Sequence, residues 1–163
     1  FGVLLQTFSG IWLTQINLDV DQTTLALNSL IQGFSVGILW VPLTVATFST
    51  LPAEYRPEGS SVFHLLRNLG SSLFISIAVA EIIRTTSTNY SRMTELVSPY
   101  NKALQLPWVT GAWTVDTLSG IARLSKEMVR QSTMLGFMNA FLLYTLISAL
   151  AIPLCLLVKP RRG

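Results

Sequence analysis

Two long apolar segments, 24–51 and 58–83, stand almost back to back, joined by a short polar link that contains proline. Residues 22–53 carry no charge at all. That run exceeds the roughly 20 residues a helix needs to cross the hydrocarbon core of a bilayer. The second segment contains GSSVFHLLRNLGSSLFISIAVA at 59–80, with a histidine and an arginine well inside it. A charged side chain at that depth is expensive and marks a functional position by default. The pair of segments predicts an all-α membrane protein whose second long helix has one wet side.

Composition supports the same class. Half of the residues are hydrophobic and 12% are charged, against about 25% charged in a soluble domain. A third charge-free run, 131–158, is again long enough to span. The net charge of +3 is scattered or sits at helix ends, with no basic stripe interleaved with aromatics, which excludes a nucleic-acid surface. Cys155 is alone, so no disulfide framework exists. The opening run FGVLLQTFSGIWL covers about 20 Å as a helix, too little for a core of about 30 Å. It has no basic n-region or small-residue cleavage site, so it is not a signal peptide. It reads as part of a span, and the chain as a fragment cut within a transmembrane helix.

Four helical pieces follow: a partial span at about 1–14, then spans at 24–51, 58–83 and 132–158. Residues 84–131 form the expected extracytoplasmic loop and an amphipathic extension of the last helix. That loop holds TTSTNYS, Pro99 and Pro107, with Trp108 and Trp113 expected at the membrane interface. In the extension, Leu118, Ile121, Ser125 and Met128 share one face, and Arg123 pairs with Glu127 on the other. The acidic link 15–23 points outside, while Arg56 and the tail at 159–162 point inside. The loop also carries six Lys and Arg from Arg84 to Arg130, so charge counting alone leaves both orientations open.

On a wheel of 100° per residue, Arg67, Ser71, His64, Asn68 and Ser76 fall within one half of the 58–83 helix. Val62, Leu66, Leu69, Leu73 and Ile77 occupy the other half. Arg67 lies roughly 13 Å along the axis from Glu58, too deep to snorkel easily. The polar face has a structural reading, hydrogen bonds to neighbouring helices, and a functional one, contact with substrate, proton or gate. Arg67, His64, Asn68 and Ser71 are the candidates there, with Gln32 from the 24–51 helix as a further cavity-lining residue. Gly33 and Gly37, spaced as GxxxG, predict close helix packing, and Pro42 and Gly70 join them as packing positions. Glu81 reads as an end charge and Asn139 as an interhelical hydrogen-bonder. No GxSxG, P-loop, HExxH or CxxC is present, and one histidine cannot build a multi-histidine metal site. An enzyme is not expected, nor a metal centre.

LIQGFSVGILWVPLTVATFSTLP, AEYRPEGSS and FHLLRNLGSSLFISIAVA resemble consecutive helices of EmrB/QacA-type drug:proton antiporters. These are the fourteen-span branch of the major facilitator superfamily. RMTELVSPYNKA and VKPRRG resemble that family's last outer loop and cytoplasmic end. The most specific parts are VPLT…LP at 41–52 and the R-x-x-G-S element at Arg67, Gly70 and Ser71. The resemblance implies the C-terminal part of a major facilitator bundle in a bacterial inner membrane. It implies export of small amphipathic drugs driven by the proton-motive force with no bound cofactor, and in Gram-negative members a periplasmic adaptor and an outer-membrane channel. It also implies an acidic residue in many relatives where this chain has Asn139, a position that cannot titrate here. A major facilitator transporter of a metabolite and a non-transporting membrane assembly subunit are the alternative readings.

Overall fold

The structure, a computed structural model, describes residues 1–49, 51–98, 100–110 and 113–157, without the side chains of 108, 110, 156 and 157. The expectations for Pro99, the Trp108 side chain and the basic stop at 158–163 fall outside the described residues. The elements are α1 (Gly2–Leu13), α2 (Gln22–Phe48), a single 3-10 turn at Ala53–Tyr55, and α3 (Arg56–Glu95). A second 3-10 turn at Lys102–Gln105, α4 (Pro107–Thr110) and α5 (Leu118–Leu157) complete the order. There is no strand among the described residues, and α2, α3 and α5 are long and apolar enough to cross a membrane.

The third helix runs twelve residues past the end expected at 83, so TTSTNYS is helical rather than loop. Polar side chains normally compete with helix backbone. Here they bond within the helix instead. Asn89 donates to the Thr85 carbonyl (2.9 Å) and Thr94 to the Tyr90 carbonyl (2.9 Å), each one turn back. No proline or glycine falls between 71 and 98 to stop the helix. Forty residues of helix are about 60 Å long, twice a hydrocarbon core.

The chain divides into two units, residues 1–78 with 140–163 and residues 79–139. In the first, α1 lies against α2 through polar contacts. Ser9 Oγ donates to Asn28 Oδ1 (3.0 Å), and Asn28 Nδ2 returns a bond to the Ser9 carbonyl (3.1 Å). Both side chains are sealed, at 0% and 2% exposure. Gly10 lets α1 meet α5, since a Cβ there would collide with the Thr145 hydroxyl. Pro42 sits inside α2 without ending it, as membrane helices allow. Around these polar contacts the surface is apolar: Leu30 is 70% exposed, Leu73 65% and Leu150 67%. A water-soluble domain rarely leaves such surface bare, whereas acyl chains solvate it without cost.

In the second unit, the end of α3 and the start of α5 run antiparallel. Tyr90 pairs with Ser125 (3.2 Å), Ser132 with Met93 (3.5 Å), and Asn139 Nδ2 donates to Thr85 Oγ1 (3.0 Å). Gly136 is the closest approach: a Cβ there would stand 2.8 Å from the Ile82 carbonyl oxygen and 2.7 Å from Thr86 Oγ1. On the expected apolar face of α5, Met128 is buried and Ser125 partly so, while Leu118 and Ile121 are exposed. Glu127 pairs with Arg130 (3.6 Å) and accepts from Gln131 (2.8 Å), and the expected ion pair with Arg123 does not form. The physical reason is direction, because a carboxylate reaches bases that follow it on a helix better than those that precede it.

Candidate functional site

Two clusters in the first unit join residues distant in sequence. On α2, Trp40 and Phe48 are two turns apart and face the start of α3. Phe63 lodges between them, its ring centroid 5.9 Å from Trp40 and 5.8 Å from Phe48. One turn further along α3, the Arg67 guanidinium lies over the Trp40 ring, 4.3 Å from its centroid. His64 meets Phe63 edge-on at 5.7 Å. A guanidinium over an indole face gains about 0.5–1 kcal/mol when exposed and about 2 when desolvated. That attraction offsets part of the cost of a charge at membrane depth. Arg67 has no carboxylate partner among the described residues, so its in-plane N–H donors stay open to a ligand or another helix.

The second cluster gathers around Tyr144 of α5. Gln6 from α1 and Gln32 from α2 both donate to the Tyr144 hydroxyl, the latter at 3.0 Å. Ser35 Oγ lies 2.8 Å from Gln6 Oε1 and 2.7 Å from the Gly2 carbonyl. Three helices are thus tied by side-chain amides and hydroxyls, the kind of bond that holds helices together in lipid.

The structure therefore brings His64 and Arg67 together in the aromatic cluster and places Gln32 in the other. Asn68 and Ser71 are exposed on α3, with Ser71 Oγ donating to the Asn68 carbonyl (3.0 Å). His64 and Arg67 are exposed as well, and so are Leu65, Leu66 and Leu69, so both faces of mid-α3 are open among the described residues. Gly33, Gly37 and Gly70 have no atom within 4 Å of a built Cβ among the described residues. Pro42 lines an apolar groove of about 320 Å³ with Gly2, Leu39, Leu43 and Cys155. The reading by periodicity did not single out Trp40, Gln6 and Tyr144. Gln6 was visible as the lone amide of an apolar run, but Trp40 and Tyr144 gain meaning only from tertiary neighbours.

No group of three or more metal-ligating side chains exists among the described residues. A stacked cation, open donors and aromatic rings suit reversible holding of an amphipathic molecule. No family model matches the chain, and no solved structure matches it. Multidrug export protein EmrB of Haemophilus influenzae is 35% identical over 80 residues, 49% of this chain and 16% of that protein. EmrB of Escherichia coli K12 is 36% identical over 75 residues, 46% of this chain and 15% of that protein. Over about half its length the chain is similar to the EmrB multidrug export proteins. The probable multidrug resistance protein EmrY of E. coli K12 extends the match to 142 residues at 25% identity, 86% of this chain and 28% of that protein. The chain thus spans under a third of the length of each EmrB-type relative. With three helices long and apolar enough to span among the described residues, it is a multi-pass membrane protein.

Proposed function

We propose that this chain is part of an EmrB-type transporter that exports small amphipathic drugs from a bacterial inner membrane by proton antiport. The proton-motive force supplies the energy, with no bound cofactor and no covalent chemistry. Support comes from relatives whose names state multidrug export and from the guanidinium stacked on Trp40 within a helix apolar enough to span. In this reading 58–83 crosses the bilayer, 84–131 lies outside the cytoplasm, and Arg67 with His64, Asn68 and Ser71 faces the transport path or its gate. Gln32, held by Tyr144, fixes the α2 wall of that path. A periplasmic adaptor and an outer-membrane channel would complete export in a Gram-negative cell.

Arg67 carries the reading. Replacing it by leucine leaves a shorter apolar side chain that a helix accepts and removes charge and donors together. In the intact protein, Arg67→Leu should abolish drug resistance while leaving membrane insertion at the wild-type level, checked by efflux of a fluorescent substrate and by immunoblot of membranes. Wild-type efflux from the leucine variant would remove the proposal.

A further inference from the structure

The second unit contains a polar pocket that the transport reading does not use. It is an open pocket of about 420 Å³, lined by two columns on α3 and one residue of α5. Glu81, Thr85 and Asn89 form one column at successive turns, and Arg84, Thr88 and Arg92 form the other. Asn139 closes the far side.

The hydrogen-bonding of this pocket is incomplete on both sides. Glu81 accepts one bond, from Thr85 Oγ1 at 3.0 Å, and has no cation within ion-pair distance among the described residues. Asn139 donates its amide to Thr85, which leaves its carbonyl oxygen open. The Thr85 bond ties the carboxylate to its own column. Arg84 and Arg92 form neither an ion pair nor a hydrogen bond among the described residues. Unmatched acceptors therefore stand beside two unmatched guanidinium groups, whose backbone positions are about 12 Å apart along the helix and whose long side chains can converge on one anion.

A simple anion would satisfy the arginines and be repelled by Glu81. A simple cation would meet the reverse. The geometry points to a zwitterion of the phosphoethanolamine class, with phosphate oxygens on Arg84 and Arg92 and the ammonium on Glu81 and the Asn139 carbonyl. Guanidinium binds phosphate through paired N–H donors, and ammonium binds carboxylate by charge-assisted hydrogen bonds. A choline headgroup has no N–H to give, and a glycerol headgroup has no cation. The source is the headgroup of a bilayer lipid, because the pocket begins at Glu81, where the apolar run ends. That depth rests on the proposed 58–83 span.

Native mass spectrometry of the intact protein in detergent reads this without any transport step, so its outcome is separate from that of the efflux test. The probes are phosphatidylethanolamine, phosphatidylcholine, phosphatidylglycerol and free phosphoethanolamine. Phosphatidylethanolamine should be retained about tenfold over the other two lipids, the ratio expected from losing one charge-assisted hydrogen bond. The double variant R84Q/R92Q should lose that preference, R84K/R92K should keep most of it, and E81Q should lower phosphatidylethanolamine without lowering phosphatidylglycerol. Retention by the lysine pair shows that charge, not folding, is being read. Equal retention of the three lipids, or equal loss in the lysine and glutamine pairs, would overturn the inference. Free phosphoethanolamine bound as tightly as the lipid would overturn the membrane source and assign a soluble zwitterion.

Discussion

In 24–51, 59–78 and 140–157 the ionisable side chains are His64, Arg67, Tyr144 and Cys155, while 79–139 holds six Lys and Arg and four Asp and Glu. The first region buries polar groups and exposes apolar ones. Asn28 and Ser35 are at most 2% exposed, while Leu30 and Leu73 stand open. The second region keeps Arg84, Arg92, Arg123 and Arg130 exposed around open pockets. One chain thus follows two sets of solvation rules. Where hydrocarbon is the solvent, every amide and hydroxyl must find a protein partner. Where water or headgroups solvate, charges can remain unpaired, and an ion pair such as Glu127–Arg130 contributes little.

Five substitutions sharpen that contrast, each measured as a change in unfolding free energy of the purified protein. Gly136→Ala should cost the most, about 1–3 kcal/mol, because the new methyl meets a backbone carbonyl that cannot rotate away. Gly10→Ala offers a control, since its nearest obstacle is the movable Thr145 side chain. Asn28→Leu removes both bonds to Ser9 and should cost about 1–2 kcal/mol, the range of interhelical hydrogen bonds in lipid. Tyr144→Phe strips the common acceptor from Gln6 and Gln32 and should cost about 1 kcal/mol. Arg130→Ala should change stability by less than about 0.5 kcal/mol. A larger effect from Arg130 than from Asn28 would reverse the assignment of the two environments.

The positions of α2 and α5 were legible because charge-free runs of that length have few other uses. The end of α3 was not. TTSTNYS has the composition of a loop, and only the bonds back along the helix and the antiparallel α5 keep it helical. Asn28, Gln32 and Ser35 find their side-chain partners on other helices. Their identities were hidden, since Gln6 and Tyr144 are separated by 138 positions. Arg67 was conspicuous as a charge inside an apolar run, yet its partner proved to be the face of Trp40 rather than a carboxylate. A π face leaves no complementary charge in the sequence to search for.

Spin labels placed singly at 66, 73, 88 and 92 in the intact protein, reconstituted in bilayers, read the two solvents directly. Labels at 66 and 73 should collide with dissolved oxygen far more than with a water-soluble nickel chelate, and labels at 88 and 92 should show the opposite preference. The same ratio at all four positions, or nickel access at 73, would contradict a lipid-embedded α3 that emerges near Glu81.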